Sequence, residues 1–124
     1  MPLRVGIDLV AVESVEESVR VHSSRYLQRV YTDREVGDCR TADGVDPERL
    51  AARFAAKEAA LKVLRPRAGG IPWRAIEVRR HEAGWVELEL SGAAAALAAE
   101  AGLDDFAVSL SHEGGFASAV VVAT

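Results

Sequence analysis

Cysteine is almost absent from this sequence. Cys39 stands alone among 124 residues, so no internal disulfide can form, and a reducing compartment, the cytoplasm, is the expected setting. Long apolar runs are missing as well: no stretch approaches the ~20 residues that cross a bilayer as a helix, and no membrane role is expected. The opening MPLRVGIDLV reads as a strand interrupted by Asp8 and does not suit a signal peptide. Basic residues are outnumbered, 15 Lys and Arg against 19 Asp and Glu, so nucleic acid is not expected as the main partner. There is no P-loop, no GxGxxG, no HExxH and no metal-binding group of cysteines. No repeat or low-complexity linker divides the chain, and one domain over residues 1–124 is expected.

What the chain does contain is one strong helix. DPERLAARFAAKEAALKVL, from Asp46 to Leu64, is rich in Ala, Leu, Glu, Arg and Lys. Asp46 suits the N-cap and Pro47 the first helical position, while Pro66 prevents continuation. Winding the segment puts Leu50, Phe54, Leu61 and Leu64 on one apolar stripe. Lys57 falls inside that stripe. Glu58 flanks it one turn before Lys62, and Arg53 lies on the other flank. Such breaks in binary pattern concentrate at functional sites. The ordinary alternative is a snorkelling lysine beside a Glu58–Lys62 surface pair.

Around this helix the patterning gives an α+β fold, a mainly antiparallel sheet packed against one long central helix, with shorter helices in the N-terminal half. Arg4 to Val10 alternates as a strand, with Val5, Ile7 and Leu9 on one face and Gly6 and Asp8 on the other. Helical spacing runs from Val12 to His22 and again from Ser24 to Val30. Thr32 and Glu35 form a capping box for a short helix ending near Arg40. Thr41 to Val45 reads as a loop. Ile76–His81, Trp85–Leu90, Phe106–Ser111 and Phe116–Ala123 read as strands. Ser91 can cap an Ala-rich helix from Gly92 to Ala101 that Gly102 ends, and His112 to Gly115 is a tight connection. Arg20, Arg25, Arg29 and Arg34 make one region basic, either as a solvated face or as a dock for an acidic protein surface.

The residues themselves point to magnesium-dependent phosphoryl chemistry. Asp8 and Glu58 can hold a hard divalent cation if a phosphate supplies further oxygens. Arg53, Lys57, Lys62 and His112 are candidates for phosphate contacts. Gly69 and Gly70, beside Arg65 and Arg67, can bring backbone N–H groups close to a phosphate. Each also has an ordinary reading: Asp8 as a turn or cap residue, His112 as a solvated histidine, the glycines as a loop.

Three blocks in order resemble a known family: Gly6-Ile7-Asp8-Leu9-Val10, Arg53-Phe54-Ala55-Ala56-Lys57-Glu58-Ala59 and Ser109-Leu110-Ser111-His112. Together they resemble holo-acyl-carrier-protein synthase, the short trimeric class of 4′-phosphopantetheinyl transferases. Arg29 to Glu35, Trp73 before Ile76-Glu77-Val78, and Ala117 to Val122 support the match. The resemblance implies transfer of phosphopantetheine from coenzyme A to a serine of apo acyl carrier protein, releasing adenosine 3′,5′-bisphosphate. It implies Asp8 and Glu58 as magnesium ligands and Glu58, Lys62 and His112 as catalytic residues. It implies Arg53, Lys57, Lys62, Gly69, Gly70, Ser111 and His112 as contacts for the coenzyme. It also implies a homotrimer with each site shared between neighbouring subunits. Glu58 through a water is the first choice of base, and His112 the second.

The chain departs from that pattern twice. The family's docking arginine near the start of the first helix is Ser14 here, and its usual Gly-Thr-Gly loop is Arg65 to Gly70. Retained chemistry with an altered carrier preference is the expectation. Two other readings stay open: a magnesium-dependent hydrolase of the coenzyme A pyrophosphate, and a non-catalytic subunit that binds coenzyme A or a carrier.

Overall fold

Helix α4 (Pro47–Leu64) is the axis on which the other elements are laid. In this computed structural model, which describes residues 2–68 and 70–124, the helix starts as its sequence dictates. The Asp46 carboxylate accepts from the Glu48 N–H at 3.0 Å and Pro47 takes the first turn. Arg65 ends it in the left-handed region, its N–H returned to the Leu61 carbonyl. The buried surface is wider than one stripe. Ala51, Ala52, Ala55, Ala56, Ala59 and Ala60 are buried along with Leu50, Val63 and Leu64. Their small side chains allow neighbouring elements to approach from several sides.

A three-stranded antiparallel sheet covers one flank of α4, with β7 (Phe116–Ala123) between β1 (Arg4–Ala11) and β6 (Phe106–Glu113). Asp8 pairs with Ala119, and Ala119 with Leu110. Val10, Ala117, Ala119, Val121 and Ala123 are buried against the helix. The row on the opposite side of β1 is apolar and open: Val5, Ile7 and Leu9 are 67%, 62% and 64% exposed. Gly6 sets the distance between sheet and helix. A Cβ there would stand 2.1 Å from the Ala59 carbonyl oxygen, far inside contact distance. The β6–β7 hairpin turns on Gly114 and Gly115, both with positive φ, as a two-residue turn of this hand requires. His112 and Glu113 therefore belong to the ladder, not to the connection expected from His112 to Gly115.

The N-terminal half supplies α1 (Val12–His22), α2 (Ser24–Val30) and α3 (Asp33–Asp38). Both bonds of the Thr32–Glu35 capping box are present. The stretch read as a loop after α3 contains a minimal hairpin, β2 (Arg40–Thr41) with β3 (Gly44–Val45). A turn of 3₁₀ helix (Trp73–Ala75) leads into the β4 (Ile76–Arg80) and β5 (Val86–Leu90) hairpin. Helix α5 (Gly92–Glu100) follows, and Gly102 takes a positive φ just past it. Ser91 does not cap α5 with its hydroxyl; its carbonyl receives the Ala94 and Ala95 N–H groups instead. The result is the expected α+β fold.

Candidate active site

Asp8 sits inside β1, not at its end, because the ladder continues to Ala11. Strand alternation turns it, like Gly6, toward α4. Glu58 and Lys62 share one face of α4 a turn apart. The Lys62 ammonium donates to the Ile7 carbonyl at 2.6 Å and stands 3.5 Å from Asp8 Oδ1. Lys62 is thus drawn to β1 and makes no ion pair with Glu58. The Glu58 carboxyl is pushed above the ordinary glutamate range, first by partial burial, next by the charge on Asp8, with Lys62 pulling the other way. Two acids and a lysine therefore act on one another at the place where β1 touches α4.

This donor set fits a hard cation in part. A carboxyl whose ionisation is opposed by burial and by a second carboxylate, as at Glu58, is relieved by a divalent ion held between the two. No group of three or more potential metal-binding side chains occurs among the described residues. The remaining ligands would have to be substrate oxygens and water, the usual situation for magnesium on a phosphate substrate.

Lys57 is elsewhere. It is fully buried, and its three N–H donors are used by Glu35 Oε1 at 2.8 Å, the Trp73 carbonyl at 3.1 Å and the Ile76 carbonyl. All three are taken within the chain, so the phosphate contact expected of Lys57 would require it to give up one of them. Burial lowers the Lys57 ammonium below the ordinary lysine range, against the pull of Glu35. Glu35, also fully buried, further accepts the Thr32 N–H at 2.9 Å and the Val78 N–H at 2.8 Å. One acid and one lysine thereby tie α3, α4, the 3₁₀ turn and β4 together. The sequence signal for this partner was the capping box, which assigns Glu35 to a helix end and says nothing of the lysine that shares Oε1 with the Thr32 N–H, or of the Val78 N–H on Oε2.

Two of the remaining candidates, His112 and Arg53, lie toward the other end of α4. His112 is on β6, across β7 from β1 and two residues beyond the level of Asp8. Strand geometry puts their Cα atoms about 12 Å apart. The His112 Nδ1 lies 2.7 Å from Glu48 Oε2. Arg53 is nearly buried; one guanidinium nitrogen donates to the Arg49 carbonyl at 3.2 Å, and its Nε has no partner among the described residues. Ser111 points to the open side of the sheet, opposite to His112. Gly70 is exposed in the loop after α4, at a φ of +65°, and Gly69 lies outside the described residues. A single chain brings Asp8, Glu58 and Lys62 together and holds His112 apart from them.

The model of the 4′-phosphopantetheinyl transferase superfamily matches residues 4–120. The chain belongs to this superfamily. It is 44% identical to the holo-[acyl-carrier-protein] synthase of Chloroflexus aurantiacus, across 95% of each chain. With that of Salinispora arenicola the identity is 42%, across 99% of this chain and 98% of the other. Among solved structures it resembles the Chronobacterium ammoniagenes ACPS-CoA complex, with a TM-score of 0.85, 29% identity, and coverage of 100% of this chain and 98% of that one. Helicobacter pylori holo-[acyl-carrier-protein] synthase in complex with coenzyme A gives 0.84 at 25% identity, covering 98% and 100%. The transferase resemblance of the three sequence blocks is thus borne out at the level of family and fold.

Proposed function

We propose that this chain transfers the 4′-phosphopantetheine group of coenzyme A to a serine hydroxyl of an apo acyl carrier protein. It acts as one domain over residues 1–124, with magnesium, as a cytoplasmic homotrimer. The convergence of Asp8, Glu58 and Lys62 where Gly6 lets β1 meet α4 carries this reading.

The serine oxygen attacks the phosphorus that bears pantetheine. A new P–O bond forms, the bridging P–O bond breaks, and adenosine 3′,5′-bisphosphate leaves with the electron pair. Asp8 and Glu58 would hold magnesium, which when bound neutralises the pyrophosphate and stabilises charge on the bridging oxygen. Glu58, whose carboxyl is raised by burial and by Asp8, takes the serine proton through a water, with His112 the second choice of base. Lys62, already beside Asp8, supplies a positive charge to the leaving phosphate. Arg53 and His112 contact the nucleotide end, with Ser111 and the Gly69–Gly70 loop as further contacts.

The separation of His112 from Asp8 supports a site drawn from two chains. So does the open apolar row Val5, Ile7, Leu9, with Phe116 and Val122 also exposed on that face of the sheet, since a surface of this kind is usually covered by a partner. The cytoplasmic setting is supported by the free, buried Cys39. No described helix is long and apolar enough to cross a membrane.

Mass spectrometry of an apo carrier incubated with the protein, coenzyme A and magnesium tests the reaction. A gain of one phosphopantetheine group is expected, and Glu58→Gln should abolish it while leaving the assembly unchanged. Release of adenosine bisphosphate without any carrier would point to hydrolysis. Near wild-type turnover by Glu58→Gln would remove the metal assignment.

A further inference from the structure

Glu48 stands in the first turn of α4, where its own N–H is fixed by the Asp46 cap. His112 reaches it from β6, with Nδ1 at 2.7 Å from Oε2. An ionised carboxylate has no proton to give, so Nδ1 carries the hydrogen. In the neutral ring the lone pair is then on Nε2, at the far side from Glu48. The two side chains are 57% and 50% exposed, which leaves that far side of the ring open to a ligand. His81 shows the opposite assignment: its Nδ1 accepts the Ala83 N–H at 3.2 Å, so the ring proton of its neutral form sits on Nε2. The difference between the two histidines is set by their partners. This pair of side chains links the first turn of the helix to the end of the strand, so Glu48 also limits the rotation of the ring.

We propose that Glu48 is the positioning residue of His112: it selects the Nδ1–H tautomer and aims the ring so that Nε2 is the one ring atom presented to the coenzyme. The proposal rests on reading His112 as a site residue of the transferase. It adds a carboxylate–imidazole dyad at the N-terminal end of α4 to the acid pair in its C-terminal half. About 15 Å of helix separates Glu48 from Glu58.

The test is imidazole ¹⁵N NMR on the full chain in its native assembly, at a pH where the rings are neutral, with His81 as the internal reference for the opposite tautomer. His112 should report Nδ1–H in the wild type. Glu48→Ala should move it toward the Nε2–H form while His81 stays unchanged. Glu48→Gln, whose amide oxygen still accepts a hydrogen bond, should retain the wild-type tautomer and guards against loss of the helix start. Glu48→Ala should lower kcat/KM for coenzyme A about three- to tenfold, a modest loss because the pair is half exposed. In a His112→Ala background the same change should cost nothing further. An unchanged His112 tautomer in Glu48→Ala, or an equal loss in both backgrounds, overturns the dyad. Wild-type protein with the expected tautomer but no transfer to any carrier overturns the transferase reading instead.

Discussion

Replacing Lys57 by Met leaves Glu35 charged, fully buried and without its cation. Two backbone N–H donors, Thr32 and Val78, would still point at its carboxylate, but no positive charge would remain in contact with it. Breaking a buried pair by removing one partner costs about 3–5 kcal/mol, because the desolvated charge that remains is uncompensated. The two carbonyls that Lys57 holds, Trp73 and Ile76, lose their donor at the same time, so the upper part of that range is expected. For a chain of this length each kcal/mol moves Tm by about 4 °C, giving a fall of about 12–20 °C. The double variant Lys57→Met/Glu35→Gln removes both charges and should recover part of the loss, since an ion pair replaced as a unit costs far less than one that is broken. Thermal unfolding of the wild type, Lys57→Met, Glu35→Gln and the double variant, with coenzyme A titrations on each folded variant, completes the cycle. The reasoning is refuted if Lys57→Met costs under about 1 kcal/mol while its affinity for coenzyme A falls sharply, for that would return Lys57 to the phosphates.

Gly6→Ala should lower the denaturant midpoint by at least ~3 kcal/mol equivalent, since the new methyl meets the Ala59 carbonyl at 2.1 Å. The same variant should weaken manganese binding as followed by electron paramagnetic resonance, because β1 and Asp8 must move away from Glu58. Burial pushes the Cys39 thiol up to about 11 from its ordinary 9.0. Its folded-state value lies above the unfolded one, so its stabilising contribution is complete below pH 9 and is lost as pH rises toward 11. The loss should be on the order of 2 kcal/mol in denaturant titrations, and Cys39 should resist iodoacetamide at pH 8 until the chain unfolds. Ile7→Glu places a charge in the open apolar row of β1 and should convert the assembly to monomers by light scattering; an unchanged mass would remove that row from the interface.

Most of the fold was legible because its elements carry local punctuation. Asp46, Pro47 and Pro66 bound α4 by rules that act within one turn of helix. Thr32 and Glu35 announce α3 in the same way, and the Trp85–Leu90 alternation announces the face of β5. The family was legible because its three blocks keep their residue types and order. Less of the site could be read. Lys57 and Lys62 are both lysines on one helix beside Glu58, and nothing local distinguishes the one that is sealed by Glu35 from the one that reaches Asp8. Strand alternation on β1 was visible, but the buried row is the one with Gly6 and Asp8, and the valine, isoleucine and leucine row faces outward. Hydrophobicity would have chosen the reverse.

The sequence by itself determined where most helices and strands lie, the α+β class and the transferase family, because caps, turns and periodicity are short-range physics. Tertiary structure alone decided which charges meet. Lys57 finds Glu35 at 2.8 Å, Lys62 lies 3.5 Å from Asp8, and His112 meets Glu48 at 2.7 Å, and in each case the partners lie far apart along the chain. Such pairings depend on how closely a strand can approach a helix, and here that distance is set by a missing side chain at Gly6 and a run of alanines on α4.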